Sequence, residues 1–184
     1  LRLATCNLSC NWCDTKYTWD WDHYDYTREV VALEASEVEA SILRLGCRRL
    51  IITGGEPLMQ QGDLAPLLAS LKRQNFQFEL ETNGTIFPQQ DLIQNVDQWN
   101  VSPKLETSGN PQNTRNRRET MEAWCRLTNA HFKFVMTDPK DVDEVCALRD
   151  RYRLPNQRII LMPEGTTPNS IQSRSKWVSE ACIQ

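Results

Sequence analysis

The sequence lacks three features that would each indicate a broad class of protein: a long apolar run, a low-complexity segment and an excess of positive charge. A membrane-spanning helix needs about 20 consecutive apolar residues, and no run approaches that length. The net charge of −3 provides no general attraction to nucleic acid. The one basic cluster, Arg115, Arg117 and Arg118, is expected at a solvated loop and helix start. We therefore expect no membrane partner and no direct nucleic-acid partner.

The chain also lacks an even set of cysteines for a disulfide framework. Of its seven cysteines, three form one tight group, and the other four lie singly in helix-like segments, at Cys47, Cys125, Cys146 and Cys182. A buried free cysteine behaves as a small hydrophobic residue, which is the role we expect for these four. Without disulfides, a reducing compartment, and hence the cytoplasm, is the expected location. No secretory signal is recognisable, although the chain opens at Leu1 rather than Met.

Short β-rich runs alternate with helical patterns along the chain. The predicted strands are Arg2–Thr5, Leu50–Thr53, Phe76–Glu81, Gln98–Val101, Phe132–Met136 and Arg158–Met162. Strands that alternate with helices pair in parallel through right-handed crossovers. Six units are too few for an eight-stranded barrel, so the expected fold is α/β, a partial TIM-type barrel with about six parallel strands in a single domain over residues 1–184. A doubly wound open sheet is the alternative that periodicity alone does not exclude.

Two intervening segments carry more specific signals. A helix is predicted to begin at Ser36, which would form a capping box with Glu39, and to stop at Gly46. Its predicted buried face consists of Val38, Ile42 and Leu45. The connection from Asp14 to Ala35 is unusually long and is rich in aromatic and acidic residues. Because long connections in compact domains are usually functional or disordered, we expect a functional or subunit-contact role for it.

Distinctive motifs follow every predicted strand. A group of cysteines follows the first, GGEP the second, ETNGT the third, SPK the fourth, MTD the fifth and MPEG the sixth. Any one of the five motifs after the cysteines could be a simple turn. However, the carboxyl ends of parallel strands meet at one edge, where barrels and open sheets build their active sites. The sequence therefore predicts a functional site made from all six strand ends.

The cysteine group has the spacing C-x3-C-x2-C, at Cys6, Cys10 and Cys13. A structural zinc site normally needs four protein ligands, and Asp14, His23 and Cys47 do not supply a fourth at a familiar spacing. A 4Fe–4S cluster held by three thiolates instead keeps one iron open to a further ligand. The absent fourth cysteine thus favours a reactive iron–sulfur site over a structural zinc.

Taken in order, RLATCNLSCNWCDTKYTW, TGGEP, ETNGT and SPK give the sequence its resemblance to a known family. It resembles the radical S-adenosylmethionine (SAM) superfamily, whose signature is this cysteine spacing. Within that superfamily, CDTKYTW, ETNGT and SPK are similar to the lyases that make 7-carboxy-7-deazaguanine for queuosine biosynthesis. The resemblance implies a 4Fe–4S cluster, SAM and Mg2+ as cofactors, a homodimer, and an external electron donor such as flavodoxin or ferredoxin.

The resemblance also implies a reaction. An electron from the cluster cleaves SAM to methionine and a 5′-deoxyadenosyl radical, which abstracts hydrogen from 6-carboxy-5,6,7,8-tetrahydropterin. The pterin then contracts to 7-carboxy-7-deazaguanine with loss of ammonia. The resemblance implies no acid or base residue for this chemistry, because the radical generated from SAM carries it.

Roles are implied for particular residues. The implied cluster ligands are Cys6, Cys10 and Cys13, and Thr15 matches the Mg2+ position. Arg2 matches a position that grips the substrate carboxylate, for which a guanidinium fork is well shaped, and Thr53 is implied to touch the pterin. The residues implied to bind SAM are Trp12, Cys13, Asp14, Gly54, Gly55, Glu56, Ser102, Pro103, Lys104, Met162, Pro163, Glu164 and Gly165.

The sequence departs from the family pattern at several places. Thr5 replaces the usual glycine before the first cysteine, and MPEG replaces a motif that usually contains Gln-Pro. The family's substrate loop before the first strand and its extreme C-terminus have no counterpart in residues 1–184. His23 and His131 match no required position and are expected to be structural.

Two other functions remain as alternatives. One is a radical SAM activase that makes a glycyl radical on a partner protein. The other is an electron-transfer or zinc-binding protein, which would have no affinity for SAM.

Overall fold

The computed structural model describes residues 1–183, and its elements follow the alternating order that the sequence predicts. The strands are β1 (Arg2–Leu3), β2 (Arg49–Gly54), β3 (Gln77–Thr82), β4 (Gln98–Val101), β5 (Ala130–Met136) and β6 (Ile159–Pro163). The helices are α1 (Tyr26–Glu29), α2 (Ala35–Arg44), α3 (Gln61–Lys72), α4 (Gln90–Asn95), α5 (Gln112–Arg115), α6 (Arg118–Arg126), α7 (Asp141–Tyr152) and α8 (Pro168–Ala181). Short 3-10 turns lie at Lys16–Thr18, Pro57–Gln60, Glu106–Ser108 and Asn156–Arg158.

The strands form one six-stranded sheet whose order is the chain order, β1-β2-β3-β4-β5-β6. The pairs β1–β2, β2–β3 and β5–β6 are parallel. In a doubly wound sheet the strand order reverses at a switch point, whereas barrel strands succeed one another without reversal. The sequential order therefore confirms the prediction of an α/β, partial TIM-type fold with six parallel strands.

The N-cap of helix α2 lies two residues before the predicted one. Its N-cap is Glu34, and the side chain of Glu37 accepts a hydrogen bond from Glu34 N at 3.0 Å. The predicted capping box of Ser36 and Glu39 is therefore wrong. Glu39 instead accepts hydrogen bonds from two side chains near the end of α3 and just after it, Ser70 and Gln74.

The end of α2 agrees with the prediction, but its buried face is narrower. Gly46 follows the helix with a φ of +69°, a left-handed conformation that glycine adopts without a Cβ penalty. Ile42 is buried and Val38 is half-buried, as expected. Leu45 is exposed instead of buried, because it lies at the C-cap after the last helical turn.

The chain divides into two compact units. The first unit comprises residues 1–7, 15–82 and 86–99. Its core contains the leucines of α3 and the aromatic residues at and before β3, all buried: Leu64, Leu67, Leu68, Leu71, Phe76 and Phe78. Full burial of such a side chain stabilises the fold by about 1.5–3 kcal/mol.

The second unit comprises residues 8–14 and 83–85 and the chain from Asn100 onward. Its core is formed by Trp124 of α6, Phe132 and Phe134 of β5 and Leu148 of α7. The indole N–H of Trp124 donates to Gly84 O at 3.1 Å, so this large side chain is buried without leaving its polar atom unpaired. The expectation of a single domain remains a prediction, and its last residue, Gln184, lies outside the described residues.

Two further findings concern partners. Between residues 1 and 183, none of the helices has the length and apolar character needed to cross a membrane. In the long connection before α2, Trp21, Tyr24 and Tyr26 are exposed, and the rings of Trp21 and Tyr26 meet edge to face with centroids 4.9 Å apart. The role expected for this segment stays a prediction.

Candidate active site

In the first unit, the GGEP segment after β2 packs directly on the start of the cysteine loop. Gly55 N donates to Leu3 O at 3.1 Å, and Glu56 N donates to Thr5 O at 2.8 Å. A Cβ added to Gly55 would overlap the carbonyl group of Thr5 and lie 2.8 Å from the Cβ of Cys6. Gly55 is thus required for a close approach of two backbones. The approach fixes the first cysteine beside the glycine motif.

Glu56 supports this segment from inside. Its side chain is fully buried, and its carboxylate accepts hydrogen bonds from Leu58 N at 3.0 Å and from Thr82 Oγ1 at 2.8 Å. The first of these bonds caps the 3-10 turn at Pro57–Gln60. The carboxylate therefore ties the end of β2 to the end of β3 and holds the GGEP backbone in place.

The two residues predicted to contact substrate lie side by side in the first unit. Arg2 of β1 and Thr53 of β2 are partners in the strand register, so their side chains project from the same face of the sheet. Arg2 is exposed. Thr53 Oγ1 donates to Glu81 Oε2 at 2.9 Å, which brings a carboxylate from β3 to the same place. The sequence indicated Glu81 only as a strand end.

Thr15 also lies in the first unit, at the N-cap of the 3-10 turn Lys16–Thr18. Its carbonyl oxygen accepts hydrogen bonds from Thr18 N at 2.9 Å and from Thr18 Oγ1 at 2.8 Å. Within that turn the Thr15 side chain makes no capping hydrogen bond. The backbone of Thr15, rather than its hydroxyl, organises the turn.

In the second unit, the cysteine loop is tied to the segment that follows SPK. Asn11 N donates to Ser108 O at 2.9 Å, and Ser9 N donates to Asn110 Oδ1 at 3.0 Å. Asn110 Nδ2 in turn donates to Cys10 Sγ at 3.3 Å. The sequence alone does not indicate a role for Asn110, because this residue lies 100 residues from Cys10 and belongs to no recognisable motif.

The charge environment of Cys10 combines burial with nearby cationic and hydrogen-bonding groups. Burial raises the pKa of the Cys10 thiol, and the approach of Cys13 adds to the rise. The ammonium group of Lys104 and the hydrogen bond from Asn110 oppose it by favouring the thiolate. A thiol must lose its proton to bind a metal, so these two groups support the form that a metal ligand needs.

Trp12 and Lys104 form a second contact in this unit. Lys104 Nζ lies 5.6 Å from the centroid of the Trp12 ring and donates to Ser102 O at 3.0 Å and Ser102 Oγ at 2.9 Å. Trp12 Nε1 is buried and finds no hydrogen-bond partner among residues 1–183. Lys104 thus links two other residues that were predicted to bind SAM, Trp12 and Ser102.

Arg115 is not the solvated residue that the sequence predicted. Only 7% of its surface is exposed, and its Nη1 donates to Lys104 O at 2.9 Å and to Glu144 Oε1 at 2.5 Å. The other oxygen of Glu144 accepts from Glu106 N at 2.7 Å. Charge patterning could not show this, because the partner carboxylate comes from α7. Arg117 and Arg118 are exposed, as expected.

The MPEG segment, at the end of β6, is held by α8. Arg174 of α8 donates to Glu164 O at 3.1 Å and pairs with Glu164 Oε2 at 3.0 Å. Glu164 N donates to Met136 O at the end of β5. Gly165 faces α8, since a Cβ there would lie 2.5 Å from Ser170 Oγ. The predicted SAM contacts of Met162 to Gly165 stay a prediction.

Among residues 1–183, none of the seven cysteines is joined in a disulfide. The prediction that the four isolated ones are buried is wrong: Cys47 and Cys182 are exposed, and Cys125 and Cys146 are half-buried. Cys47 lies beyond the end of α2 and Cys182 at the C-cap of α8, so neither is covered by a packed helix face. Across residues 1–183, no three His, Cys, Asp or Glu side chains are already gathered as metal ligands.

Comparison with known proteins defines the class first. A family model described as the Radical SAM superfamily matches residues 3–151. The chain is also 31% identical over 185 residues to 7-carboxy-7-deazaguanine synthase from Pyrobaculum aerophilum, covering 100% of this chain and 78% of that protein. The synthase from Halobacterium salinarum is 28% identical over 206 residues, covering 100% of this chain and 76% of that protein.

Solved structures agree with this assignment. QueE from Escherichia coli matches with a TM-score of 0.68 and 26% identity, covering 99% of this chain and 79% of that chain. Streptococcus suis SuiB bound to S-adenosylmethionine has a TM-score of 0.61 and 12% identity, covering 98% of this chain and 43% of that chain. At this identity the similarity shows the fold alone. The chain therefore belongs to the radical SAM superfamily and, within it, to the 7-carboxy-7-deazaguanine synthase family.

The residues present fit the cofactors of that superfamily, a 4Fe–4S cluster and SAM. The three thiols of the motif are not used in disulfides, and three thiolates are the ligands that leave one iron of a 4Fe–4S cluster open. The unpaired buried N–H of Trp12, next to Cys13, indicates a polar group still to be bound there.

Proposed function

We propose that this protein is a radical SAM lyase that converts 6-carboxy-5,6,7,8-tetrahydropterin to 7-carboxy-7-deazaguanine with loss of ammonia. The observation that carries the proposal is the 31% identity to the Pyrobaculum aerophilum synthase across the whole chain, from the three-cysteine loop to α8. The E. coli QueE structure supports it, because it matches 99% of the chain at 26% identity.

In this proposal Cys6, Cys10 and Cys13 hold the cluster. When bound, the cluster and SAM supply the radical that starts the reaction, while the protein provides position and excludes water. The absence of a side chain at Gly55 lets the backbone of the GGEP segment meet that of Thr5, which fixes the start of the cysteine loop. The carboxylate of Glu56 is engaged with Leu58 and Thr82, so this residue acts by fixing the loop.

Further contacts with SAM are proposed for residues after several strands. Trp12, Asp14, Gly54 and the segments Ser102–Lys104 and Met162–Gly165 are the remaining residues proposed to contact it. Lys104 is already oriented by the oxygens of Ser102, and its backbone carbonyl is held by buried Arg115. A group fixed in this way loses little further conformational freedom when a ligand binds.

Substrate recognition is proposed for Arg2 and Thr53. Their register pairing places a guanidinium and a hydroxyl on one face of the sheet. The guanidinium can bind a carboxylate through two parallel hydrogen bonds. Thr15 is proposed to hold Mg2+, which needs few protein oxygens because it retains several waters.

The remaining partners are proposed on the basis of the family. An external reductant such as flavodoxin or ferredoxin would supply electrons, and the protein would act as a homodimer. Seven cysteines without a disulfide among the described residues support a reducing compartment, with the cytoplasm as the proposed location.

One assay tests the function. The purified protein, reconstituted anaerobically with iron and sulfide, is mixed with the carboxypterin, SAM and a chemical reductant, and products are identified by mass spectrometry. We expect 7-carboxy-7-deazaguanine and ammonia. The matched controls are Cys10→Ala, which should abolish product, and Cys47→Ala, which removes an exposed thiol and should leave product formation unchanged.

The same assay separates the alternatives. A glycyl-radical activase would form no deazaguanine and would give a protein radical, seen by electron paramagnetic resonance (EPR), only with a partner protein present. A zinc or simple electron-transfer protein would not cleave SAM. The proposed reaction would be contradicted if a protein loaded with its cluster formed no deazaguanine or did not cleave SAM.

A further inference from the structure

We infer that Asn110 is a positioning residue for the cluster ligand Cys10, and that its side-chain amide donates a hydrogen bond to the sulfur that binds iron. The inference rests on the proposed function, because it assumes that Cys10 carries the cluster. It concerns only residues of the second unit, where the contact lies.

The amide is held in one orientation. Its oxygen accepts from Ser9 N at 3.0 Å, and this donor requires an acceptor opposite it. The nitrogen is thereby directed to Cys10 Sγ at 3.3 Å and to Ser108 Oγ at 3.2 Å. One side chain thus binds the backbone just before Cys10 and the sulfur of Cys10 itself.

Burial makes this hydrogen bond effective. Asn110 is 7% exposed and Cys10 is 6% exposed, so water competes little for either group. The segment around Asn110 is also fixed, because Ser108 O accepts from Asn11 N and Ser108 Oγ accepts from Asn110 N at 3.4 Å. A buried donor on a fixed segment is pre-organised before any cluster is bound.

The consequence for a bound cluster follows from charge. Hydrogen bonds become stronger as their acceptor gains negative charge. Reduction places additional negative charge on a cluster and its sulfur ligands, so a donor at Cys10 favours the reduced form. Hydrogen bonds to the sulfurs are among the factors that set the reduction potential of such clusters. Asn110 should therefore raise that potential and slow the loss of iron.

The test uses Asn110→Asp and Asn110→Ala in the full chain. Asn110→Asp keeps the shape and an oxygen for Ser9 N but puts a carboxylate oxygen where the donor was. Asn110→Ala removes the donor without adding charge. The control is Asn113→Asp on α5, an exposed residue at which the same change alters the net charge equally.

Two measurements are made on reconstituted protein without substrate: the midpoint potential, from an EPR-monitored redox titration, and the rate of iron release to a chelator. We expect a lower midpoint potential in both Asn110 variants. In Asn110→Asp we also expect about 10-fold faster iron release, because changes to the hydrogen-bond partner of a metal ligand typically alter metal affinity by about this factor. Asn113→Asp should match the unmodified protein. Failure of both Asn110 variants to retain any cluster, with far-UV circular dichroism unchanged, would also support the role.

Two negative results have different meanings. If the unmodified protein loads its cluster and both Asn110 variants show its potential and its iron release, the positioning role is wrong and the proposed function stands. If the unmodified protein takes up no iron–sulfur cluster, both the proposed function and the positioning role are overturned.

Discussion

The backbone of Thr5 lies so close to Gly55 that position 55 has no room for a side chain. The carbonyl group of Thr5 occupies the place that a Cβ on Gly55 would take, and it accepts the hydrogen bond of the next residue, Glu56, at 2.8 Å. The loop that begins at Cys6 therefore starts from a backbone contact that depends on the absence of a side chain.

We predict that Gly55→Ala destabilises the protein and lowers its iron content after reconstitution. The added methyl group must displace backbone and the Cβ of Cys6, and overpacking of this kind costs about 1–3 kcal/mol. The measurements are the free energy of unfolding in urea and the iron bound per chain.

Gly62→Ala is the matched control for this prediction. Gly62 lies in α3, and nothing stands within 4 Å of a Cβ there. The substitution should stabilise the protein by about 0.5–1 kcal/mol, because glycine is a poor helix former. Equal effects of the two substitutions would show that the contact with Thr5 is unimportant.

Thr5 itself carries backbone strain. Its φ is +69°, in the left-handed region that β-branched residues avoid. Such a conformation costs of order 1–3 kcal/mol, while glycine would lose about 0.5–1 kcal/mol in conformational entropy. We predict that Thr5→Gly raises the free energy of unfolding by about 1 kcal/mol, measured in urea. Thr5→Ala, which keeps a Cβ, should gain less; a destabilised Thr5→Gly would contradict this account.

Thr15 tests the magnesium proposal. We predict that Thr15→Ala retains its cluster and its SAM cleavage but loses most of the stimulation of product formation by Mg2+, whereas Thr15→Ser retains much of it. The 3-10 turn should survive both changes, because it is held by the carbonyl oxygen of Thr15 rather than by its hydroxyl. An unchanged Mg2+ response in Thr15→Ala would show that the metal binds elsewhere.

His23 provides a pH prediction independent of the active site. The hydrogen bond that His23 Nδ1 donates to Asp20 Oδ1 at 2.9 Å raises the pKa of the imidazole above its ordinary value of 6.5, and the negative charge of Asp20 is the next cause. The pair should therefore stabilise the fold fully below pH 6.5, and the contribution should vanish as the pH rises through the higher folded-state pKa. The NMR titration of His23 should move to lower pH in Asp20→Asn. The shift of the titration should be smaller in Asp22→Asn, because Asp22 acts on the imidazole through its charge alone.

Much of the fold could be predicted because it depends on local patterns. The alternation of β-rich runs with helical periodicity located all six strands to within about two residues at each end. The errors lie where local signals competed. At α2, Glu34 and Glu37 form the cap, although Ser36 and Glu39 are the pair that matches the sequence pattern of a capping box.

The candidate site likewise combines features that local sequence patterns predict with features that they do not. Short-range spacing in the sequence by itself determined the three-cysteine motif, the position of the glycine pair after β2 and the preference for an iron–sulfur site over zinc, because these features lie within a few residues of one another. Only the tertiary structure decided that Asn110 contacts Cys10, 100 residues away, and that Arg115 is buried against Glu144. A hydrogen bond or ion pair between distant segments leaves no periodic trace in the sequence. It forms only when the packing of strands and helices brings its two groups within about 3 Å of each other.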